Sequence, residues 1–525
     1  MKRTISILLA LLLVMSMGSA ALITAGAEET DTPSVWDGTA NIKWYIDGLA
    51  TGTGVYELNS AADLAGLAYI VNASQSTACY TGVYYDANYN VLGYRLGSQD
   101  AAFANLSMVY NPTSGDGSQV IAGDCFTWQT VNLNCDVVIN EGNAADWATN
   151  PPTYTWQPIG GNVGTNAGKW YGFDGAFDGK GHTISGMYTS STLAQDLYGA
   201  GVFGIMGYEV NASVSNLIVE NFYQECTYGA SGLIGRTKHA VVVDNCVVRN
   251  GYVISHKDQT AALIGGAYGG DATIINSGVD NVSIKGRDYI GGMVGTSVGY
   301  TVSITDSYFI GSIECEYQLG VMVGRKKDGR IALKNVYAIA EGTEHATSAN
   351  ASNMGCGVVY GANADNSIVT IVAQNYFYVQ NLNAASGEVK DIGTTGTAAV
   401  TLTHLTGEMA KATLNGFDFD TVWKTVDGGT PIIELRGDNT TGGDENNNSN
   451  NNSNNNQQGG SNNEASTTKP ATTTEEKEPS TKAPGTDATA DEAKDGKSCG
   501  SVVGFSGVML TAVLAGAAIM LKKED

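Results

Sequence analysis

Four-residue blocks that end in two apolar residues and a glycine recur at a nearly constant interval along this 525-residue chain. The final glycines of the five clearest copies are separated by 31, 30, 30 and 29 residues. These glycines are Gly204, Gly235, Gly265, Gly295 and Gly324, and a looser copy ends at Gly361. A motif that keeps one period over many copies predicts a repeat architecture, because each repeat folds as a unit that stacks on the next.

A second marker, an Asn or Asp within a β-rich run, keeps the same period between these blocks. Its copies are Asn216, Asn245, Asn276, Asp306, Asn335 and Asn375. The stretch is rich in Val, Ile, Tyr and Gly, which favour strands and turns, and it lacks long amphipathic helices. A propeller blade needs about forty residues, whereas about thirty hold three short strands with their turns. The sequence therefore predicts an all-β fold, a right-handed parallel β-helix over residues 156–393, with coils about 4.8 Å apart.

Each recurrent residue has a physical role in this fold. The paired apolar positions would fill an interior shared by all coils. The glycines would either adopt a positive φ or allow two backbones to approach closely. The Asn side chains would either stack as a ladder from coil to coil or occupy left-handed turns.

The segments on either side of the repeats are predicted to cover them. Residues 28–155 form an N-terminal cap region, in which Ser60 is a candidate N-cap for an amphipathic helix from Ala61 to Asn72 that would cover the open end of the stack. Residues 394–437 form a C-terminal cap, with a short helix near 405–414 and a closing strand near 429–435.

The two ends of the chain indicate export and anchoring. Residues 1–27 have the charged start, short apolar centre and Ala-Gly-Ala end of a secretory signal. Residues 438–498 are of low complexity and predict a disordered stalk. Residues 499–525 contain an uncharged apolar run followed by Lys522 and Lys523, which predicts a membrane-spanning helix. We therefore expect an exported protein that is held at the cell surface by its C-terminal helix in the cytoplasmic membrane.

The net charge and the cysteine content limit the classes of partner and cofactor that the chain is expected to bind. The formal net charge of −24 argues against nucleic acid and against binding anionic lipid by charge. No Cys or His spacing matches a metal motif, so we predict no metal and no cofactor. A disulfide between Cys125 and Cys135 is left open, and the other exported cysteines are interpreted as small buried apolar residues.

No catalytic residue is predicted, and the ligand-binding residues are not identified. The motifs of β-helix pectin hydrolases are absent as a set. Asp174 and Asp178 are interpreted as turn residues, and His182 as a packing or hydrogen-bonding residue.

Two basic groups, Arg236 with Lys238 and His239, and Arg325 to Lys327, follow two of the glycine blocks. They are predicted to share one edge of the fold, three coils and roughly 15 Å apart. They are interpreted as solvated turns in preference to a site for an acidic glycan.

The glycine blocks, the helix after Ser60 and the segments 156–160 and 177–186 resemble the GLUG-type repeat proteins of gut Firmicutes, over about residues 55–435. This resemblance implies a right-handed β-helix on the surface of a Gram-positive bacterium, with an adhesin-like role. The tail from Ser498 resembles the C-terminal anchor of clostridial surface proteins, but it lacks the L-P-x-T-G signal for covalent attachment to the wall.

The resulting hypothesis is a non-catalytic, surface-displayed binding or structural module. Its partner would be an extracellular glycan or a host or cell-envelope protein. The alternative is a polysaccharide lyase or glycoside hydrolase of the β-helix type with a divergent site. A row of outward aromatic side chains would favour sugar binding, and carboxylates clustered in a groove would favour the enzyme.

Overall fold

The computed structural model describes residues 35–74, 80–96, 109–161, 172–190, 198–344, 355–361, 368–384, 389–390 and 393–433. Within these ranges the protein is mostly β-strand, with long parallel sheets and few helices. The α-helices are α1 (Lys43–Thr51), α2 (Ala61–Asn72) and α3 (Gly407–Thr413). The predicted all-β fold with parallel strands is therefore confirmed.

The predicted signal, stalk and anchor lie outside the described residues. Among the residues that are described, no helix combines the length and apolar character needed to cross a membrane.

The N-terminal region joins a small antiparallel sheet to the beginning of the main parallel sheet. Its strands are β1 (Val55–Leu58), β2 (Tyr80–Tyr85), β3 (Val91–Leu96), β4 (Gln119–Ile121), β5 (Thr130–Leu133) and β6 (Val137–Val138). Strand β2 pairs antiparallel with β3 and β4, whereas β1 pairs parallel with β5. The helix predicted after Ser60 is present as α2, and the Ser60 hydroxyl accepts the N–H of Asp63 at 3.1 Å.

Within the repeats, most strands pair in parallel with a strand of the next repeat. The paired residues are about thirty positions apart for Val214 with Val243 and for Ile274 with Ile304, and 40 positions apart for Ile331 with Ile371. The strands are β7 (Ala176–Asp178), β8 (Thr183–Ser185), β9 (Tyr188–Ser190), β10 (Tyr198–Ala200), β11 (Phe203–Ile205), β12 (Ala212–Ser215), β13 (Ile218–Cys226), β14 (Tyr228–Ala230), β15 (Ile234–Thr237), β16 (Val241–Asp244), β17 (Val247–Ser255), β18 (Asp258–Thr260), β19 (Ile264–Ala267), β20 (Ala272–Ile275), β21 (Gly278–Gly286), β22 (Asp288–Gly291), β23 (Val294–Val298), β24 (Thr301–Cys315), β25 (Gln318–Gly320), β26 (Val323–Lys327), β27 (Gly329–Glu344), β28 (Gly355–Gly357), β29 (Tyr360–Gly361), β30 (Val369–Asn383), β31 (Val389–Lys390) and β32 (Thr397–Val400). One row of register partners runs through Val214, Val243, Ile274, Ile304 and Leu333. These side chains are all buried and belong to one continuous apolar core, as the period predicts.

The final glycines of the blocks allow the backbones of successive repeats to approach each other closely. A Cβ atom on Gly265 would lie 2.5 Å from the carbonyl oxygen of Gly235, and one on Gly295 would lie 2.3 Å from that of Gly265. The same relation holds for Gly324 and Gly361, at 2.5 and 2.3 Å from the preceding glycine's oxygen. These four glycines have no positive φ, so of the two predicted roles they serve the close approach of backbones and not a left-handed turn.

The periodic Asn residues combine both roles that the sequence left open. All six markers have left-handed backbones, with φ between 45° and 61°. Asn245 donates to the side-chain oxygen of Asn216 at 2.7 Å, and Asn375 donates to that of Asn335 at 3.0 Å. A left-handed turn and an inter-repeat hydrogen bond are thus provided by one residue type.

The segment predicted as the C-terminal cap is described as far as residue 433. It contains α3 and the antiparallel pair β33 (Trp423–Lys424) and β34 (Ile432–Ile433). Its apolar residues pack on the outward side of the repeats, where the Trp423 ring lies 5.7 Å from the Tyr337 ring. The stacked rings of Tyr308 and Tyr337 are buried beneath it.

The cysteines Cys125 and Cys135 are both free thiols, so the disulfide left open by the sequence is not formed. Cys226 and Cys246 are fully buried, as expected of small apolar residues, and burial raises the pKa of each thiol to about 12.

We predict that Asn245→Ala lowers the free energy of unfolding by about 2–4 kcal/mol, since it loses a buried hydrogen bond and places a Cβ-bearing residue without a local partner at φ 57°. Asn245→Gly should cost less, because it loses the amide but tolerates the backbone. The midpoint of urea unfolding, followed by circular dichroism, checks both. Equal midpoints for the two variants would show that the left-handed backbone contributes nothing.

Candidate ligand-binding site

An open groove lies on the outward side of β17, β21, β24 and β27. Its floor is a register row of Tyr252, Ser283, Ser312 and Glu341, one residue from each strand. Since neighbouring strands are about 4.8 Å apart, the row presents an aromatic ring, two hydroxyls and a carboxylate at regular intervals.

Amides and apolar side chains complete this groove, which has a volume of about 520 Å³. Asn143, Asn250 and Asn281 line it on one side, and the amide of Asn281 donates to the side-chain oxygen of Asn250 at 2.9 Å. Asn250 and Asn281 both sit in left-handed turns. Ile310 and Ile339 contribute apolar surface.

The groove begins where a row of stacked tyrosines ends. The ring of Tyr188 lies 5.6 Å from that of Tyr223, which lies 6.3 Å from that of Tyr252. Trp147 contacts Tyr188 edge-on, and the first two tyrosines are buried. Burial and the nearby Glu225 raise the pKa of Tyr223 to about 12. An aromatic row of the kind that favours sugar binding is therefore present, but only Tyr252 opens into the groove.

A pair of carboxylates lies on a different face, where Asp258 of β18 and Asp288 of β22 are register partners. Burial, and then the charge of Asp258, raise the pKa of Asp288 to about 7. Burial also raises the pKa of Asp258, but Arg287 opposes this through a 2.9 Å contact with its carboxylate. Near neutral pH the Asp288 carboxyl is therefore close to the midpoint of its titration, whereas Arg287 favours the ionised form of Asp258.

Unsatisfied polar atoms gather beside this pair. Gln259 Oε1 and Thr296 Oγ1 are buried without a partner among the described residues, and both side chains lie against Gly266. Gln259 and Tyr289 have φ of 75° and 61°, at positions where earlier repeats have glycine. Strained backbone conformations and unpaired buried polar groups both destabilise a fold. Their concentration beside Asp258 and Asp288 therefore indicates a candidate functional site.

One arginine from each of the two predicted basic groups lies in a single register row. Arg236 and Arg325 occupy one register row three repeats apart, as predicted. They are not solvated turns, however: the guanidinium of Arg236 lies 4.8 Å from the Tyr268 ring centre, and that of Arg325 lies 4.4 Å from the Tyr289 ring centre.

Lys326 is not part of a solvated turn either, and that interpretation is wrong for this residue. It is fully buried and donates to the Ser297 hydroxyl at 3.1 Å, and burial lowers its pKa to about 8. The sequence could not show these contacts, because the tyrosine and serine partners lie in neighbouring repeats.

The other predicted residues have structural partners. The Asp178 carboxylate accepts the N–H of Lys180 in its own turn, as predicted, and His182 Nδ1 lies 3.1 Å from Asp136. Asp174 is not a simple turn residue, since its buried carboxylate accepts backbone N–H groups of the next repeat. Among the described residues, no group of three or more His, Cys, Asp or Glu could hold a metal ion.

The carboxylate pair is not among the residues predicted above, although the sequence contains a signal for it. Asp258 and Asp288 each stand seven residues before the final glycine of a block, where the repeats on either side have Tyr228 and Tyr317. Aligning the repeats would have shown two acids replacing an aromatic position.

No family model and no curated protein matches this chain. Among solved structures, it resembles the crystal structure of a candidate immunoglobulin A1 protease from Bacteroides ovatus. That likeness has 18% identity and a TM-score of 0.40, over 59% of this chain and 87% of that chain. Similarity at this level carries no argument about activity, and the resemblance to GLUG-type proteins stays a prediction.

We predict that Asp288→Asn stabilises the protein at pH 8 but not at pH 4. The raised pKa of Asp288 means that the protonated form stabilises the fold, fully below about pH 4, and that this stabilisation is lost as pH rises through about 7. Asn cannot ionise, so the difference in melting temperature between variant and wild type should grow over this range. Asp258→Asn should lower the pKa of Asp288, measured by carboxyl carbon NMR. An Asp288 that titrates near 4 in the wild type would contradict the assignment.

Proposed function

We propose that this protein is a surface-displayed, non-catalytic binding module whose described part is a right-handed parallel β-helix. Its ligand would be an uncharged glycan held in the groove between Asn143 and Glu341. The observation that carries the proposal is the floor row of Tyr252, Ser283, Ser312 and Glu341 at the spacing of the repeats.

The chemistry of the groove suits a sugar. A pyranose ring offers an apolar face, which packs on a half-buried tyrosine, and hydroxyls, which pair with amides, serines and a carboxylate. The lining contains one carboxylate and no Lys or Arg, so nothing in it selects an acidic glycan. Because donors and acceptors repeat along the stack, an extended chain that crosses several strands can use them all.

Surface display rests on the sequence. The predicted signal at 1–27, stalk at 438–498 and anchor at 499–525 would hold the folded part outside the cell, as the resemblance to GLUG-type surface proteins also implies. A flexible stalk of sixty residues would average about 45 Å between its ends, which gives the module reach from the membrane.

We predict that Tyr252→Ala weakens the binding of a glycan identified by array screening at least tenfold, which corresponds to about 1.4 kcal/mol. The reason is the loss of the open aromatic face at the end of the groove. Tyr300→Ala is the matched control, because Tyr300 is 47% exposed and lies outside the groove. Calorimetry on the purified protein measures both. Equal losses in the two variants, or none in Tyr252→Ala, would place the sugar elsewhere.

The alternative function, a polysaccharide-active enzyme, is favoured by one observation, the carboxylate pair Asp258 and Asp288. Adjacent strands are about 4.8 Å apart, close to the about 5–5.5 Å between the carboxyls of retaining glycosidases. Asp288 would give its proton to the leaving oxygen as the glycosidic bond breaks, while the Asp258 carboxylate bonds the anomeric carbon. A water that gives its proton to Asp288 would then attack that carbon and release Asp258.

We expect no new reducing ends or unsaturated sugars when the protein is incubated with pectins, mucin glycans or plant polysaccharides. Reducing ends that form with the wild type and with Asp280→Asn, but not with Asp288→Asn, would establish the enzyme instead. Asp280 is the matched control, since it is also a partly buried acid whose pKa burial raises.

A further inference from the structure

A second cavity lies beside an exposed tryptophan, where the N-terminal region meets the first repeats. Trp128 is 80% exposed and has a φ of 60°, an uncommon backbone conformation for a large side chain. The turn that carries it is held from below, because Phe126 is fully buried among aromatic rings, 5.1 Å from that of Tyr56. The carbonyl of Phe126 also accepts the N–H of Gln129 at 2.9 Å. A strained turn that keeps an indole in water indicates a use for that indole.

The cavity beside Trp128 has a volume of about 370 Å³. Its floor is a register row of Thr130, Ala176, Ser213 and Val242, in which three small side chains leave room above the sheet. Trp128, Gln129 and Asp174 also line this space.

The buried polar atoms of this cavity are acceptors. Gln129 Oε1 is buried without a partner among the described residues. The carboxylate of Asp174 is buried and accepts the N–H groups of Tyr208 and Glu209. Within the part of the chain that the structure describes, no Lys or Arg forms an ion pair with Asp174, and no Lys or Arg lines the cavity. Burial, and the neighbouring Glu209, raise the pKa of Asp174.

We propose that the cavity beside Trp128 binds an organic ammonium group. The indole face attracts a cation through its quadrupole, and the Gln129 oxygen and Asp174 carboxylate supply the acceptors and the negative charge that such a group requires. Asp174 accepts backbone N–H groups but forms no ion pair with a described Lys or Arg, so a cation would add an electrostatic interaction that a neutral sugar cannot make. The site is separate from the groove at Tyr252 and does not depend on the function proposed for it.

The test compares two ligands of one shape, choline and its uncharged isostere 3,3-dimethyl-1-butanol, each titrated calorimetrically into the full-length chain. We expect saturable choline binding, with the isostere at least tenfold weaker. Trp128→Ala should weaken choline binding at least tenfold, and because Trp128 is exposed, this variant should fold. Tyr300→Ala, which removes an exposed ring elsewhere, should leave binding unchanged.

Two variants at one position, which differ mainly in charge, measure the electrostatic contribution to choline binding. Val242 lines the cavity and is 38% exposed, so a long polar side chain is tolerated there. Val242→Lys should reduce choline binding at least tenfold, while Val242→Gln should reduce it much less. Equal binding of choline and its isostere, choline binding that survives Trp128→Ala, equal effects of Lys and Gln at position 242, or no choline binding to the wild type would each overturn the proposal.

Discussion

Parallel backbone pairing between successive repeats is the constraint on which the rest of the molecule depends. Every repeat must place its strands one hydrogen-bond spacing, about 4.8 Å, above the last. At the tightest points only glycine fits, since a Cβ on Gly265 or Gly295 would lie 2.5 Å or less from the preceding repeat's backbone. At the turns, Asn both adopts the left-handed backbone and bonds the repeat before it. Both periodic features of the sequence are therefore consequences of one spacing.

That spacing also organises the surface, because an outward residue in one repeat lies directly beside its partners in the next. Similar neighbours reinforce each other, as in the stacked rings of Tyr198 and Tyr228, 4.9 Å apart. Like charges repel, and the cost of placing Asp258 next to Asp288 is reduced in two ways: Asp288 has a pKa raised to about 7, and Asp258 contacts Arg287. A departure from the repeat pattern on the outward side thus carries an electrostatic or steric cost, which makes such departures informative about function.

The parts of the structure that follow from the period could be predicted from the sequence. The parallel strands, the buried row of Val214 and its partners, and the shared row of Arg236 and Arg325 all follow from counting residues. The sequence marked the periodic glycines and Asn residues but left two roles open for each, and only the structure shows which roles apply. The ring contacts of Arg236 and Arg325 could not be predicted, since Tyr268 and Tyr289 are brought to them by the path of the chain between rows. For the same reason the sequence indicated neither which tyrosines would be covered nor where a groove would remain.

Non-repeating segments decide which part of the repeat surface stays open. Trp147 covers Tyr188 at one end of the groove, and the segment with Trp423 covers Tyr308 and Tyr337 beside the other. Ile310 and Ile339 line the groove and pack against the apolar cluster that this C-terminal segment forms with Tyr308 and Tyr337, so that cluster borders the groove. Between these covers the floor runs over four strands, from Tyr252 to Glu341, or three spacings of about 4.8 Å. An interval of roughly 15 Å accommodates a short oligosaccharide. For the proposed glycan, the non-repeating segments would therefore set the length of the ligand, while the repeats would set the spacing of the groups that contact it.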